Sequence, residues 1–210
     1  MTKFSHSRIE CFEKCPYQYK LRYVEGLQTL PNTDPDNALI LGTAMHTGIE
    51  ENIDAAIKYY VDSFPMITDL HENEIIKLRA LIPKARESLQ LGGMRNPVFE
   101  YEIDTEHFKG FIDCLIPKDE NPNEFIMVDF KYANPKSAEK YVDSNQLHLY
   151  KYFFEKLNPT KKIVGMAFMI IPKVQIRQKK TEDLLQFRKR LDDTLKESKK
   201  IITKFEDNKN

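Results

Sequence analysis

Apolar positions along the chain change their period near residue 96. Before that point they recur every three or four residues, as Ile49, Ile53, Ile57 and Tyr60 do on a helix predicted from Ala38 to Tyr60. A further helix is predicted from about Glu72 to Leu91, disturbed locally by Pro83. Ahead of both, Ser5 or Ser7 can cap a first helix running to about Cys15, and Pro16 can open the next. Gln28 to Asn37 contains Pro31 and Pro35 and reads as a loop. Beyond residue 96 the period drops to two, and strands are predicted over Val98–Ile103, Phe108–Ile116 and Phe125–Lys131. Tyr141 to Leu157 returns to helix, and the bulky apolar run Ile163–Ile171 reads as a buried strand. Val174–Gln178 is taken as a short further strand, and Thr181 as the cap of a charged last helix reaching about Phe205. This order predicts an α/β fold, a central mixed sheet flanked by helices with a helical N-terminal segment.

Composition narrows the class without naming a function. The 210 residues suit a single domain: a mainly helical part over 1–95, a sheet core over 96–180 and a charged helix over 181–210. Hydrophobic residues at 41% and charged residues at 30% are those of a soluble globular protein. No apolar run is long enough to span a bilayer, and the polar start lacks the apolar stretch of a signal peptide, so no membrane partner and a cytoplasmic location are expected (host cytoplasm for a viral gene). Three cysteines, Cys11, Cys15 and Cys114, are expected to be reduced and packed, because a structural zinc or iron–sulfur site needs four ligands. Net charge is zero, yet residues 151–210 hold 16 Lys and Arg against 8 Asp and Glu. That asymmetry fits an acidic, cation-collecting region beside a basic surface that tracks phosphates, and it fits equally a solvated terminal helix.

The chemistry starts from Met127-Val128-Asp129-Phe130-Lys131. Residues two apart on a strand share a face, so Asp129 and Lys131 project together at the end of an apolar strand. Burying an acid and a base there costs desolvation energy that packing does not return, and function is one reason to keep them. Gly110-Phe111-Ile112-Asp113-Cys114-Leu115 is another strand with one acid among apolar neighbours. Neighbouring strands could bring Asp113 and Asp129 to a common divalent ion, and hard carboxylate oxygens suit Mg²⁺ or Mn²⁺.

Asp113, a spacer of fifteen residues, and then Asp129-Phe130-Lys131 resemble the signature of the PD-(D/E)XK nuclease superfamily. Within it the chain is similar to the RecB-like exonuclease group. Gly42-Thr43-Ala44-Met45-His46 resembles that group's glycine-x-x-x-histidine helix, and Gln146-Leu147-His148-Leu149-Tyr150 its Gln-x-x-x-Tyr helix. The opening Ser7-Arg8-Ile9-Glu10-Cys11-Phe12-Glu13-Lys14-Cys15-Pro16-Tyr17 is similar to the start of these enzymes. Cys15 falls where the cluster-bearing members place an early ligand, but no later cysteine trio follows. The chain therefore resembles the cluster-free branch, with no iron–sulfur cluster expected.

The resemblance implies a restriction-endonuclease-like core and metal-dependent hydrolysis of DNA phosphodiesters. It implies that His46, Asp113, Asp129 and the Phe130 backbone carbonyl bind one or two Mg²⁺ or Mn²⁺ ions. Lys131 would orient or deprotonate the attacking water, or stabilise the transition state. Gln146 would steady Lys131 and the water, and Tyr150 the phosphate. Glu50, one turn after His46, could orient the imidazole or reach the ion through water, and Glu100 is a further candidate for the acidic cluster. On the basic side, Lys173, Arg177, Lys179, Lys180, Arg188, Lys189 and Arg190 are the expected DNA contacts. With no reader domain or nucleotide-binding loop, the expected role is an exonuclease or end- or flap-trimming enzyme of recombination, replication or repair, phage-encoded by analogy with the group. A homo-oligomer or a replication or recombination protein partner is compatible with that role. The alternative is a nuclease fold serving as a non-catalytic DNA-binding or assembly subunit, against which the intact Asp113, Asp129 and Lys131 count.

Overall fold

The computed structural model of the chain describes residues 3–91, 96–118, 121–134, 141, 144–198 and 202–206. Helix α1 (His6–Lys14) begins where Ser5 accepts the Arg8 N–H at 3.3 Å. A thiol caps the next helix: Cys15 Sγ accepts the Gln18 N–H at 3.4 Å ahead of α2 (Pro16–Tyr19), which runs on into a π-helical turn over Lys20–Val24.

The long helix expected from Ala38 to Tyr60 is two, α3 (Ala38–Glu50) and α4 (Ile53–Asp62). Asn52 makes the break by accepting the Ala55 N–H at 2.9 Å, and the apolar period carries across the gap, which hides it from periodicity. Helix α5 (Asp69–Leu91) continues through Pro83. It lies so close to α3 that a Cβ on Gly48 would come within 2.3 Å of Ile82 Cδ1, so glycine is required there.

Five strands follow the order β1-β2-β3-β4-β5 across one sheet. They are β1 (Val98–Asp104), β2 (Lys109–Lys118), β3 (Asn121–Ala133), β4 (Lys162–Pro172) and β5 (Ile202–Glu206). All neighbours are antiparallel except β3 and β4, which run parallel with α6 (Gln146–Leu157) between them in sequence, as a parallel pair needs a crossover. The start expected for this helix at Tyr141 adjoins residues 135–140 and 142–143, outside the described residues.

Two expectations for the C-terminal part are corrected. Val174–Gln178 forms no strand. The last helix, α7 (Leu184–Glu197), is capped by Asp183 and not Thr181; Asp183 and Gln186 satisfy each other's backbone donors in a capping box. The chain beyond it returns as β5 beside β4, where helix had been expected to continue to Phe205.

Helices α3, α4, α5 and α7 cover one sheet face, over Cys114, Val128, Phe130 and Met169. Helix α6 covers the other, over Ile112, Leu115, Met127 and Phe168. Each such side chain, fully buried, contributes about 1.5–3 kcal/mol. The site is positioned by a fork in this sheet. Pairing of β2 with β3 ends at Cys114 opposite Val128, while β3 continues alongside β4 as far as Ala133 opposite Pro172. The same level carries a backbone irregularity: Glu100 in β1 has φ 49°, and it interrupts the β1–β2 ladder opposite Asp113. Side chains change faces there, Phe99 and Cys114 entering one core and Tyr101 and Ile112 the other. Asp113 and Asp129 are the next residues past the last β2–β3 pair, so both carboxylates stand at the crotch of the fork.

Candidate active site

Asp113 Oδ2 accepts the Phe130 N–H at 2.7 Å, replacing the ladder bond that the fork removes. Asp129 is 2% exposed. Its Oδ1 accepts from Gln146 Nε2 at 2.8 Å, and its Oδ2 faces Lys131 Nζ at 2.6 Å. Among the described residues that ammonium is the one partner of buried Oδ2. Gln146 accepts from Lys131 Nζ at 3.1 Å through its other amide atom, so one α6 side chain holds both members of the acid–lysine pair.

His46 comes from α3 and stacks edge-on against Phe130, ring centres 5.7 Å apart. Its Nε2 is 3.0 Å from the Phe130 carbonyl oxygen, which can only accept, so Nε2 carries the proton. Burial lowers the pKa of this imidazole and keeps it neutral. Nδ1 then presents a lone pair toward Asp113 Oδ2 at 3.7 Å. Two acceptors facing each other repel unless a proton or a cation lies between them.

The carboxylates show the same tension. Burial, then the charge of Asp129, raises Asp113 well above the ordinary carboxylate range. Burial, then neighbouring Glu100, pushes Glu50 up to about 7. Glu100 is itself raised by burial. One ligand atom each from His46, Glu100 and Asp113 lie within 4.8 Å of one another. An imidazole lone pair, several crowded carboxylates and a backbone carbonyl form a donor set suited to a divalent cation. The residues present fit a divalent ion.

Burial works against the charge of Lys131, but Asp129 beside it outweighs that and raises the lysine above its ordinary pKa. Lys131 therefore rests as a cation and not as a base. Tyr150 lines the same cleft, and a Cβ on Gly110 would meet its ring at 2.8 Å, so a glycine in β2 makes room for it. The cleft, about 860 Å³, takes its remaining wall from the N-terminal segment.

Seven expected residues thus come together: His46, Asp113, Asp129, Phe130, Lys131, Gln146 and Tyr150, with Glu100 among them and Glu50 adjoining. The basic residues of 173–190 do not line this cleft. Lys173 Nζ donates to the Asp36 carbonyl, and Arg177 supplies a carbonyl to Arg190. The Lys179 N–H goes to Glu182, and Lys180 and Lys189 are exposed. Arg188 binds Asp69 and Asn73, and Arg190 binds both oxygens of Glu182. Sequence reasoning missed the cleft residues Lys3, Phe4, Arg8, Lys109 and Phe111. The alternation of Lys109 and Phe111 at the start of β2 was a usable signal; Phe4 had none.

A family model of the PD-(D/E)XK nuclease superfamily matches residues 3–209. No curated protein matches the chain. Among solved structures it is similar to a "putative exonuclease" from Eubacterium rectale, with a TM-score of 0.55 and 12% identity over 92% of this chain and 77% of that one. At that identity the likeness concerns the fold.

Proposed function

The chain belongs to the PD-(D/E)XK nuclease superfamily, and from that premise we propose that it is a divalent-metal-dependent deoxyribonuclease acting at DNA ends. The observation that carries the reading is the fork itself. There buried Asp113 and Asp129, neutral His46 and protonated Lys131 are held in one cleft with lone pairs left unsatisfied. His46, Asp113, Asp129, Glu100 and the Phe130 carbonyl would hold the ion. Bound there, it would supply positive charge to a phosphate oxygen and acidity to the attacking water.

The protein's own groups do the rest. Lys131, charged at rest, offers N–H donors to a phosphate oxygen and stabilises the charge that builds on it, so of its three open roles electrostatic stabilisation fits best. Gln146 fixes Lys131 against Asp129 and prevents the ammonium from swinging away. Tyr150 presents its hydroxyl from the cleft wall, kept protonated by burial, as a donor to the same phosphate. His46 keeps Phe130 and Asp113 in register by binding the carbonyl of the residue whose N–H binds the aspartate.

The recessed carboxylates support a role at DNA ends. Recombination, replication or repair is the setting that suits it. The test is a time course on end-labelled linear and closed circular DNA with Mg²⁺, Mn²⁺ or chelator. Loss of the end label with the circle intact, and none of it in chelator, is expected. Cutting of the circle would replace the end-directed reading with an endonuclease, and inert DNA under every condition would leave a non-catalytic binding subunit.

A further inference from the structure

The residues missed by sequence reasoning form the mouth of the cleft, and they share a chemistry that the hydrolytic residues do not explain. Phe4 and Phe111 line it with 52% and 41% of their surface exposed. Both are rigidly mounted. Phe4 donates its N–H to His107 O at 2.7 Å and accepts the Lys109 N–H at 2.8 Å, so it occupies the flank of β2 that β3 has left. Phe111 is a residue of β2 itself. With about half of each ring exposed, burial accounts for only part of their placement.

Cations accompany the rings. Lys109, two residues before Phe111 on the same strand, places Nζ 5.5 Å from the Phe111 ring centre. Arg8 stands over Tyr23 at 4.6 Å and has no carboxylate partner among the described residues. The ion pairs that Lys3 and Lys109 make, with Asp104 and Glu102, are at the surface, where such pairs are weak and a phosphate can displace the carboxylate. Interleaved aromatic faces and mobile cations are the means by which proteins hold unpaired nucleotides. Bases inside a duplex are stacked on each other, and only its terminal pair has an outer face open to such rings. The depth of the site points the same way, because Asp129 and Asp113, 2% and 9% exposed, lie below this mouth.

We propose that Phe4 and Phe111, with Lys3, Arg8 and Lys109, form a threading mouth that stacks the unpaired bases of a single-stranded DNA end and directs its backbone to the fork. This rests on the nuclease reading and adds the substrate class: single strands are bound and cut in preference to blunt duplex.

The test compares binding of fluorescein-labelled oligothymidylate and of a blunt duplex of equal length, in chelator, by anisotropy. Wild type, Phe4→Ala, Phe111→Ala and Phe111→Tyr are measured, with thermal melts to establish folding. Each alanine variant should weaken single-strand binding about fivefold or more, as loss of one base–ring stack does. Duplex binding should change less than twofold, and Phe111→Tyr should restore single-strand affinity. Equal weakening on both probes, or unchanged oligothymidylate binding in folded variants, would overturn the mouth. Cleavage of both probes by wild type with Mn²⁺ is followed in parallel. Cutting with no effect of the rings refutes the mouth alone, whereas absence of any cutting refutes the nuclease reading.

Discussion

Charge is handled oppositely at the fork and along α7. On α7 three of the four basic residues are matched: Arg188 reaches Asp69 and Asn73, Arg190 clasps Glu182, and Lys196 pairs with Asp192 one turn away, while Lys189 is exposed. At the fork the groups are buried first and matched only in part. Asp113 is driven up by burial and by Asp129, His46 turns a lone pair toward a carboxylate, and Asp129 Oδ2 has Lys131 as its one partner among the described residues. A satisfied charge holds a structure together, while an unsatisfied buried charge costs stability and is retained for what it can bind. A few acids in the wrong solvent therefore mark a candidate site more sharply than an abundance of basic residues does.

Breaking the fork should have the largest effect. Asp129→Asn keeps an acceptor for Gln146 but removes the charge, and cleavage should fall by about 10³-fold or more, the scale of losing a central electrostatic group. Single-turnover rates with a matching circular-dichroism spectrum check this; a folded variant within tenfold of wild type would move the chemistry elsewhere. His46→Ala should come next, with Mn²⁺ affinity reduced by about tenfold or more, since even residues behind metal ligands cost that much. Affinity left unchanged would make His46 a packing residue bonded to Phe130.

Smaller effects sharpen the contrast between the two regions. Arg8→Ala should reduce the salt dependence of single-strand binding by a slope of about 0.7, one phosphate contact. Arg188→Ala should leave that slope alone and lower stability by roughly 1 kcal/mol, through its lost contacts to α5. The reverse pattern would make α7 the DNA surface, as its composition first suggested. The smallest effect concerns Cys114, whose thiol burial pushes up to about 12. A raised acid pKa means that the thiolate is absent across the neutral range, so at pH 8 a thiol reagent should titrate Cys11 and Cys15 in native protein and Cys114 only after unfolding.

Much of the site was legible because strand alternation and helical spacing are local. Asp129 and Lys131 share a face by period two, and Gln146 and Tyr150 lie one turn apart by period 3.6. What was illegible depends on the sheet as a whole. Nothing local says that β2 and β3 part after Cys114 and Val128, and that parting sets Asp113 beside Phe130 and opens the cleft. Glu100 was a candidate for the acidic cluster from the sequence, but its backbone at φ 49° and the change of faces that brings it to His46 were not legible there. Ile202–Glu206 lies after a charged helical run and was absorbed into it, although β4 supplies its pairing partners from 32 to 40 residues back.

The most direct measurement is a calorimetric titration of Mn²⁺ into wild-type protein and into Asp113→Asn/Asp129→Asn, without DNA. A cation site at the fork predicts saturable binding to wild type that disappears in the doubly substituted protein, while its circular-dichroism spectrum in chelator matches that of wild type. Absence of saturable binding to wild type, or equal binding to both proteins, would contradict it.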